Sequence, residues 1–351
     1  VSCGACLPGI ILGEARLAGQ IRAVCWKRGC AEQIFLALGP RCAYVSHDSA
    51  GTATATLPLR PTPHHNSGEP PTRASRRQQQ GHIMHIRAGY EITFDCPQPT
   101  PMLLLLSVYP TRVHDLRSPH AVSFNRPVQF SEFQDVYDNT CHRVTLPAGS
   151  TTISNNFLIA DTGEPDLIPR WAQQLPLEAL PDDVLVYLMP SRYCESDRLT
   201  EFAWATFGGT PTGWARVQAI LDYVHGHISF GYHHARNNRT AYDGFQEGVG
   251  VCRDFAHLAV ALCRSMNIPA RYCTGYLGDI GVPISPDPMD FSAWFEVFLD
   301  GRWYTVDARH NKARIGRILM ARGRDAVDCA ITTAFGAARL TGFKVITDEV
   351  T

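Results

Sequence analysis

Between residues 88 and 161 short apolar runs alternate with turn residues: Tyr90-Glu-Ile-Thr-Phe, Leu103-Leu-Leu-Leu-Ser-Val-Tyr, Val128-Gln-Phe, Val144-Thr-Leu and Thr152-Ile-Ser. A period of two at such close spacing predicts a small all-β domain over 84–165. Asp138-Asn139, set between Phe133-Gln-Asp-Val-Tyr and Cys141-His-Arg-Val-Thr-Leu, reads as a hairpin turn. Pro165, Pro169, Pro176 and Pro181 then break any regular pattern, so 166–195 reads as a linker with one strand-sized apolar block at 184–189.

The period changes after that stretch. Val217, Ile220, Leu221 and Val224 fall at i, i+3, i+4 and i+7 behind Pro211 and Gly213, which predicts an amphipathic helix over 214–224. Phe255, Leu258, Ala259, Leu262 and Met266 share a second stripe that starts near Cys252 and stops at Asn267 and Pro269. Residues 271–277 and 292–299 read as strands, and Asp300-Gly301 is a strong hairpin signal before a return strand over 303–307. With a two-residue turn Leu299 faces Arg302, so facing positions sum to 601. The expected class is α+β, with a helix-on-antiparallel-sheet core over 196–310. Residues 311–351 are expected to pack on that core, with the mostly apolar 343–346 docking as a strand.

Composition adds limits. The chain has 351 residues, 45% hydrophobic and 19% charged, and a net charge of −1. That is an ordinary globular balance, without the charge excess that nucleic acid or anionic lipid would require. No apolar run is long enough to span a membrane, so neither nucleic acid nor membrane is an expected partner. The first 83 residues differ from the rest. They lack methionine and hold nine Lys or Arg against four Asp or Glu, which leaves 84–351 at −6. The expectation is a disordered extension or a stretch upstream of the true start, with the functional chain beginning at Met84; a targeting peptide is the alternative. Of twelve cysteines, Cys3, Cys6, Cys25, Cys30 and Cys42 crowd this segment. Cys3-x-x-Cys6 has no second half to complete a zinc site, and the other seven have no ligand-like spacing. No metal or cofactor is expected, and the expected location is the cytoplasm.

A cysteine in the first turn of a helix meets free N–H groups and the positive end of the helix dipole, which favour thiolate. Cys252 has that place, behind the flexible Glu247-Gly-Val-Gly-Val, whereas Cys263 and Cys273 read as core. The stretches Gly250-Val-Cys-Arg-Asp-Phe-Ala-His-Leu, Ile268-Pro-Ala-Arg-Tyr-Cys-Thr-Gly-Tyr, Ala293-Trp-Phe-Glu-Val-Phe and Trp303-Tyr-Thr-Val-Asp-Ala-Arg resemble the core of bacterial transglutaminase-like proteins, a branch of the papain-like superfamily. The resemblance spans about 222–310, and the β-rich part resembles the N-terminal domain often found before that core. It implies a Cys-His-Asp triad, with Cys252 as nucleophile and Asp307 as the acid that orients the imidazole. The family's histidine falls on Ser292. A serine hydroxyl cannot accept the thiol proton near neutral pH, so it does not replace imidazole. The family includes calcium-dependent members, but no acidic loop of that spacing occurs in this chain.

The register places Ser292 and Asp307 on one sheet face as diagonal neighbours. His310, an alternative base, falls on the opposite face, level with Phe291, unless a bend brings it round. His257 lies about 140° around the helix from Cys252 and reads as a satisfied helix residue. Arg309 and Arg253 are candidate charge partners of the thiolate or of Asp307. Gln246 resembles the side-chain donor that papain-like enzymes aim at the oxyanion, and reads equally well as an exposed loop glutamine. His225, His227, His233 and His234 span a helix end and a turn, a poor arrangement for a metal. Trp294 and Trp303 read as core aromatics or as a cleft wall. Two functions follow. One is thiol-dependent hydrolysis or acyl transfer on a peptide or protein amide. The other is an inactive module that binds peptide or glycan, because Ser292 replaces the histidine. The sequence leaves the oligomeric state open.

Overall fold

The computed structural model describes residues 83–350, so the expectations for the first 82 residues lie outside the described residues. The long strand β1 (Met84–Cys96) and β2 (Thr100–Leu104) lead to the short β3 (Ser123–Phe124), the hairpin β4 (Phe130–Gln134) and β5 (Thr140–Leu146), and the long β6 (Gly149–Asp161). Then come helices α1 (Ser196–Phe207) and α2 (Trp214–His227), β7 (Ser229–Phe230), α3 (Ala241–Glu247), β8 (Val249–Gly250) and α4 (Cys252–Ser265). The chain closes with β9 (Ala270–Tyr276), β10 (Ser292–Leu299), β11 (Arg302–Val306), β12 (Ile318–Gly323), β13 (Thr332–Ala334) and β14 (Arg339–Val350).

Three antiparallel four-stranded sheets result. Their orders are β14-β1-β6-β3, β13-β2-β5-β4 and β11-β10-β9-β12. The fold is α+β. Alternation decides the first: Ile86, Ala88, Tyr90 and Ile92 point into the core, while Arg87 and Glu91 point out. One apolar core packs the helices against Phe295, Val297 and Leu299 of β10. A second joins the β-rich sheets to Tyr276, Phe291, Ile318 and Met320. Helix α4 is buried from Asp254 to Ser265, beyond the single stripe that its sequence shows. Its one deeply buried cation, Arg264, donates to the carbonyls of Ala270, Met189 and Arg324, which meets the cost of burial.

Several expectations change. Residues 318–323 do join the core sheet, but β14 pairs with β1 from His85–Val350 to Asp95–Arg339, so the chain's end completes the β-rich layer. The apolar block at 184–189 lies largely in 3-10 turns, because Pro181 starts it and Val184 packs with Leu180 against Phe298. The β4–β5 loop spans 135–139 instead of two residues, held by the Asp135 carboxylate accepting the N–H groups of Tyr137 (2.8 Å) and Asn139 (2.9 Å). Asp300-Gly301 is the expected two-residue turn with both φ values positive, and all five β10–β11 pairs sum to 601.

Candidate active site

Helix α4 begins at Cys252 because the residues before it cannot continue a helix and Asp254 folds back over the start. The Asp254 carboxylate accepts the N–H of Val251 (2.9 Å) and pairs with Arg239 (3.1 Å). Gly250 is required there, since a Cβ would stand 2.7 Å from Asp254. Cys252 is half-buried, and its sulfur faces the backbone N–H of Ala293 on β10. Burial pushes its thiol up to about 11; Arg309 is the chief opposing charge, and Asp290 and Asp307 add to the rise.

Across the cleft, the β10–β11 ladder ends at Phe295 and Val306, and the expected pairs Trp294–Asp307 and Ser292–Arg309 do not form. The chain turns at Asp307 instead. The N–H of Asn311 donates to the Asp307 carbonyl (2.9 Å), and Asn311 takes a φ of 48°. Helix α2 pins this turn. Asn311 Nδ2 donates to Asp222 (2.8 Å), and His225 Nδ1 lies 2.8 Å from the Arg309 carbonyl. The turn carries His310 to the same side as Asp307, which corrects the opposite-face expectation. Asp307 Oδ1 accepts the His310 N–H (3.0 Å), and His310 Nδ1 lies 2.8 Å from Asp307 Oδ2. Arg317 donates to that same oxygen (2.8 Å). Burial alone would raise the Asp307 carboxyl, but Arg317 and His310 outweigh it and hold it well below the usual carboxylate range. An ionised carboxylate only accepts, so His310 Nδ1 donates and Nε2 is left as the acceptor.

Cys252, Ser292, Arg309 and His310 line one cleft of about 70 Å³, together with Tyr232 and Asp290. A larger cavity of about 410 Å³ lies over the β-rich sheet near Glu91, Ser154 and Lys344, where there is no thiol or imidazole. Among the described residues no hydrogen bond joins the Cys252 sulfur to an imidazole; the shared cleft is what brings Cys252 and His310 together. Ser292 is buried, and its hydroxyl has no partner.

A profile of the transglutaminase-like superfamily matches residues 201–308, a stretch that holds Cys252, Ser292 and Asp307. Residues 201–308 are a transglutaminase-like domain. The crystal structure of a Cytophaga hutchinsonii protein described as a candidate cysteine protease matches with a TM-score of 0.67 and 28% identity, over 77% of this chain and 92% of that one. The periplasmic domain of TgpA from Pseudomonas aeruginosa aligns with a TM-score of 0.32 and 16% identity, over 64% of this chain and 90% of that one. An uncharacterized Mycobacterium leprae protein is 32% identical over 119 residues, which are 33% of this chain and 39% of that relative. The match therefore spans less than half of the mycobacterial protein.

Within the transglutaminase-like domain the other candidates separate. Gln246 is exposed on α3 and does not line the cleft, contrary to an oxyanion role, because its short helix turns it to solvent. His257 accepts the Ala326 N–H (3.2 Å) and stacks on Tyr193, and burial holds it well below the usual imidazole value. Arg253 donates to the carbonyls of Arg236 and Asn237, away from the cleft, so Arg309 is the cation beside the thiol. His227 bonds the Phe245 carbonyl (2.7 Å) and His225 that of Arg309, each apart from His233 and His234. Trp303 packs on Tyr187 and Phe298. Tyr232, Asp290 and Arg317 escaped sequence reasoning. The turn at His310 had a signal in Asn311, a residue that accepts left-handed backbone and so ends a strand.

Proposed function

We propose that this chain is a cysteine-nucleophile amide hydrolase or acyl transferase acting on a peptide or protein. Cys252 is the nucleophile, His310 the acid–base group and Asp307 its orienter. The hydrogen bond between His310 and Asp307, on an imidazole that lines the cleft of Cys252, carries this reading. The Cys252 proton passes to His310 Nε2 as sulfur attacks the amide carbonyl. The oxyanion forms beside the free N–H groups at the start of α4. Its collapse expels the amine, which takes the proton from His310, and leaves a thioester. Water or a second amine then attacks, and the thiol is regenerated with a proton. The seven described cysteines are all free, which fits a reducing location such as the cytoplasm.

The unpartnered Ser292 hydroxyl supports a second reading, a cleft that binds peptide or glycan without turning it over. Turnover of a fluorogenic peptide amide and incorporation of a labelled amine decide between them. In the first reading Cys252→Ala and His310→Ala each remove about 10³-fold or more of the rate, and Ser292→Ala changes little. Activity that survives His310→Ala would overturn His310 as base. An inactive parent that gains activity on Ser292→His would establish the second reading.

A further inference from the structure

Beyond Asp307 the charges alternate away from the cleft, through the buried Arg317 to the partly exposed Asp166. Arg317, buried against the Trp294 ring with its guanidinium carbon 5.0 Å from the ring centre, donates Nη2 to Asp307 (2.8 Å) and Nε to Asp166 (2.9 Å). Asp166 comes from the stretch that reads as a linker. It is fixed by a reciprocal pair: its N–H donates to the Arg314 carbonyl (2.9 Å), and its carboxylate accepts the Arg314 N–H (3.0 Å). Asp307 and Asp166 outweigh burial and hold Arg317 firmly charged. His310 and Arg317 therefore compete for one oxygen, Oδ2 of Asp307.

We propose that Arg317 and Asp166 are positioning residues that set the basicity of His310 through Asp307. The proposal rests on the assignment of His310 as the acid–base group. A bare carboxylate would favour the imidazolium strongly and leave no acceptor on Nε2. By neutralising part of the Asp307 charge, Arg317 keeps the imidazole neutral enough to take the thiol proton; by drawing on Arg317, Asp166 limits that neutralisation. The other titratable or charged groups that share its cleft are Arg309 and Arg314 on its own side, Asp279, Asp287 and Asp290 on the facing loop, Tyr232, and Cys252 at the helix start. None of these side chains makes a salt bridge to Asp307 among the described residues, whereas Arg317 does.

The test is imidazole nitrogen NMR of the full chain against pH, with the His310 signal assigned by its loss in His310→Gln. Relative to the parent, Arg317→Met should move the His310 titration up by about one pH unit. Asp166→Asn should move it down by less, and Arg317→Lys should stay near the parent. The double variant D166N/R317M should track R317M, because Asp166 acts through the guanidinium. Shifts of the same sign in R317M and D166N, no shift in either, or simple addition in the double variant would each overturn the proposal. If R317M does not fold, D166N decides alone: a downward shift supports the coupling, and an unchanged or upward one defeats it. NMR needs no turnover, so an inactive chain would sink the assignment of function without touching this coupling.

Discussion

Cys252 lines the cleft and Asp307 stands behind it, bonded to the His310 that also lines it, and burial penalises the ionised form of both, yet they end at opposite extremes. The thiol is pushed up to about 11 while the carboxyl is held far below its usual range. Partners make the difference. The Asp307 carboxylate accepts three hydrogen bonds, two from His310 and one from Arg317. The Cys252 sulfur has Arg309 and the Ala293 N–H on its side, and Asp290 and Asp307 against it. One group is ionised at rest and the other is neutral. A neutral thiol becomes a nucleophile only by handing over its proton during the reaction, which makes the placement of the imidazole decisive.

The largest expected effect breaks this comparison at the carboxylate. Asp307→Asn removes the charge opposite the buried Arg317 and offers His310 an amide that can no longer fix the Nδ1–H tautomer. We expect a loss of about 3–5 kcal/mol in urea unfolding, since the guanidinium loses one of its two carboxylate partners. Turnover should fall by about 10⁴-fold. Cys252→Ala should abolish turnover with far less loss of stability, because no charge is stranded. Equal unfolding midpoints for the two variants would show that the carboxylate is not the anchored end.

These placements were only partly legible in the sequence. The register of β10 on β11 follows from Asp300 and Gly301, both of which accept positive φ, and the five observed pairs obey it. The α+β class likewise follows from the switch of period. The place of His310 depends on whether the strand stays regular past Asp307; Asn311 hints at the bend, but what pins the turn is Asp222 of α2, which is distant in sequence. Helices α1 and α3 gave no clear stripe. The pairing of β14 with β1 joins the two ends of the described chain, which local pattern cannot specify. Arg317 and Asp166 were invisible for the same reason, because their meaning lies in a contact across 151 positions.

The next effect is smaller and sharpens the same contrast through pH. The lowered Asp307 carboxyl contributes stability that is complete above about pH 4 and is lost as pH falls below it. The raised Cys252 thiol contributes in the other direction. Its share is complete below the free-thiol value of about 8.5, because the folded chain then holds a proton that the unfolded chain also holds. It is lost as pH rises from there towards the folded value of about 11. Urea midpoints should therefore show a weaker alkaline decline in Cys252→Ala than in the parent, and a weaker acid decline in Asp307→Asn. A Cys252→Ala curve that parallels the parent at high pH would mean that the fold does not raise the resting thiol above its free value.

The smallest expected effect concerns the oxyanion. If the thiol end draws its stabilisation from the start of α4, no side chain on α3 contributes, and Gln246→Ala should leave kcat/KM within about twofold of the parent. Removal of a true oxyanion donor costs about 10²–10³-fold, so the two outcomes are well separated. Gln246 is exposed and outside the cleft, whereas Tyr232 lines it beside Cys252. A loss of 10²-fold in Gln246→Ala, with substrate affinity unchanged, would require α3 to close over the cleft during turnover. The oxyanion would then gain a side-chain donor that the resting structure does not give it, and the contrast between Cys252 and the well-held Asp307 would describe only the resting state.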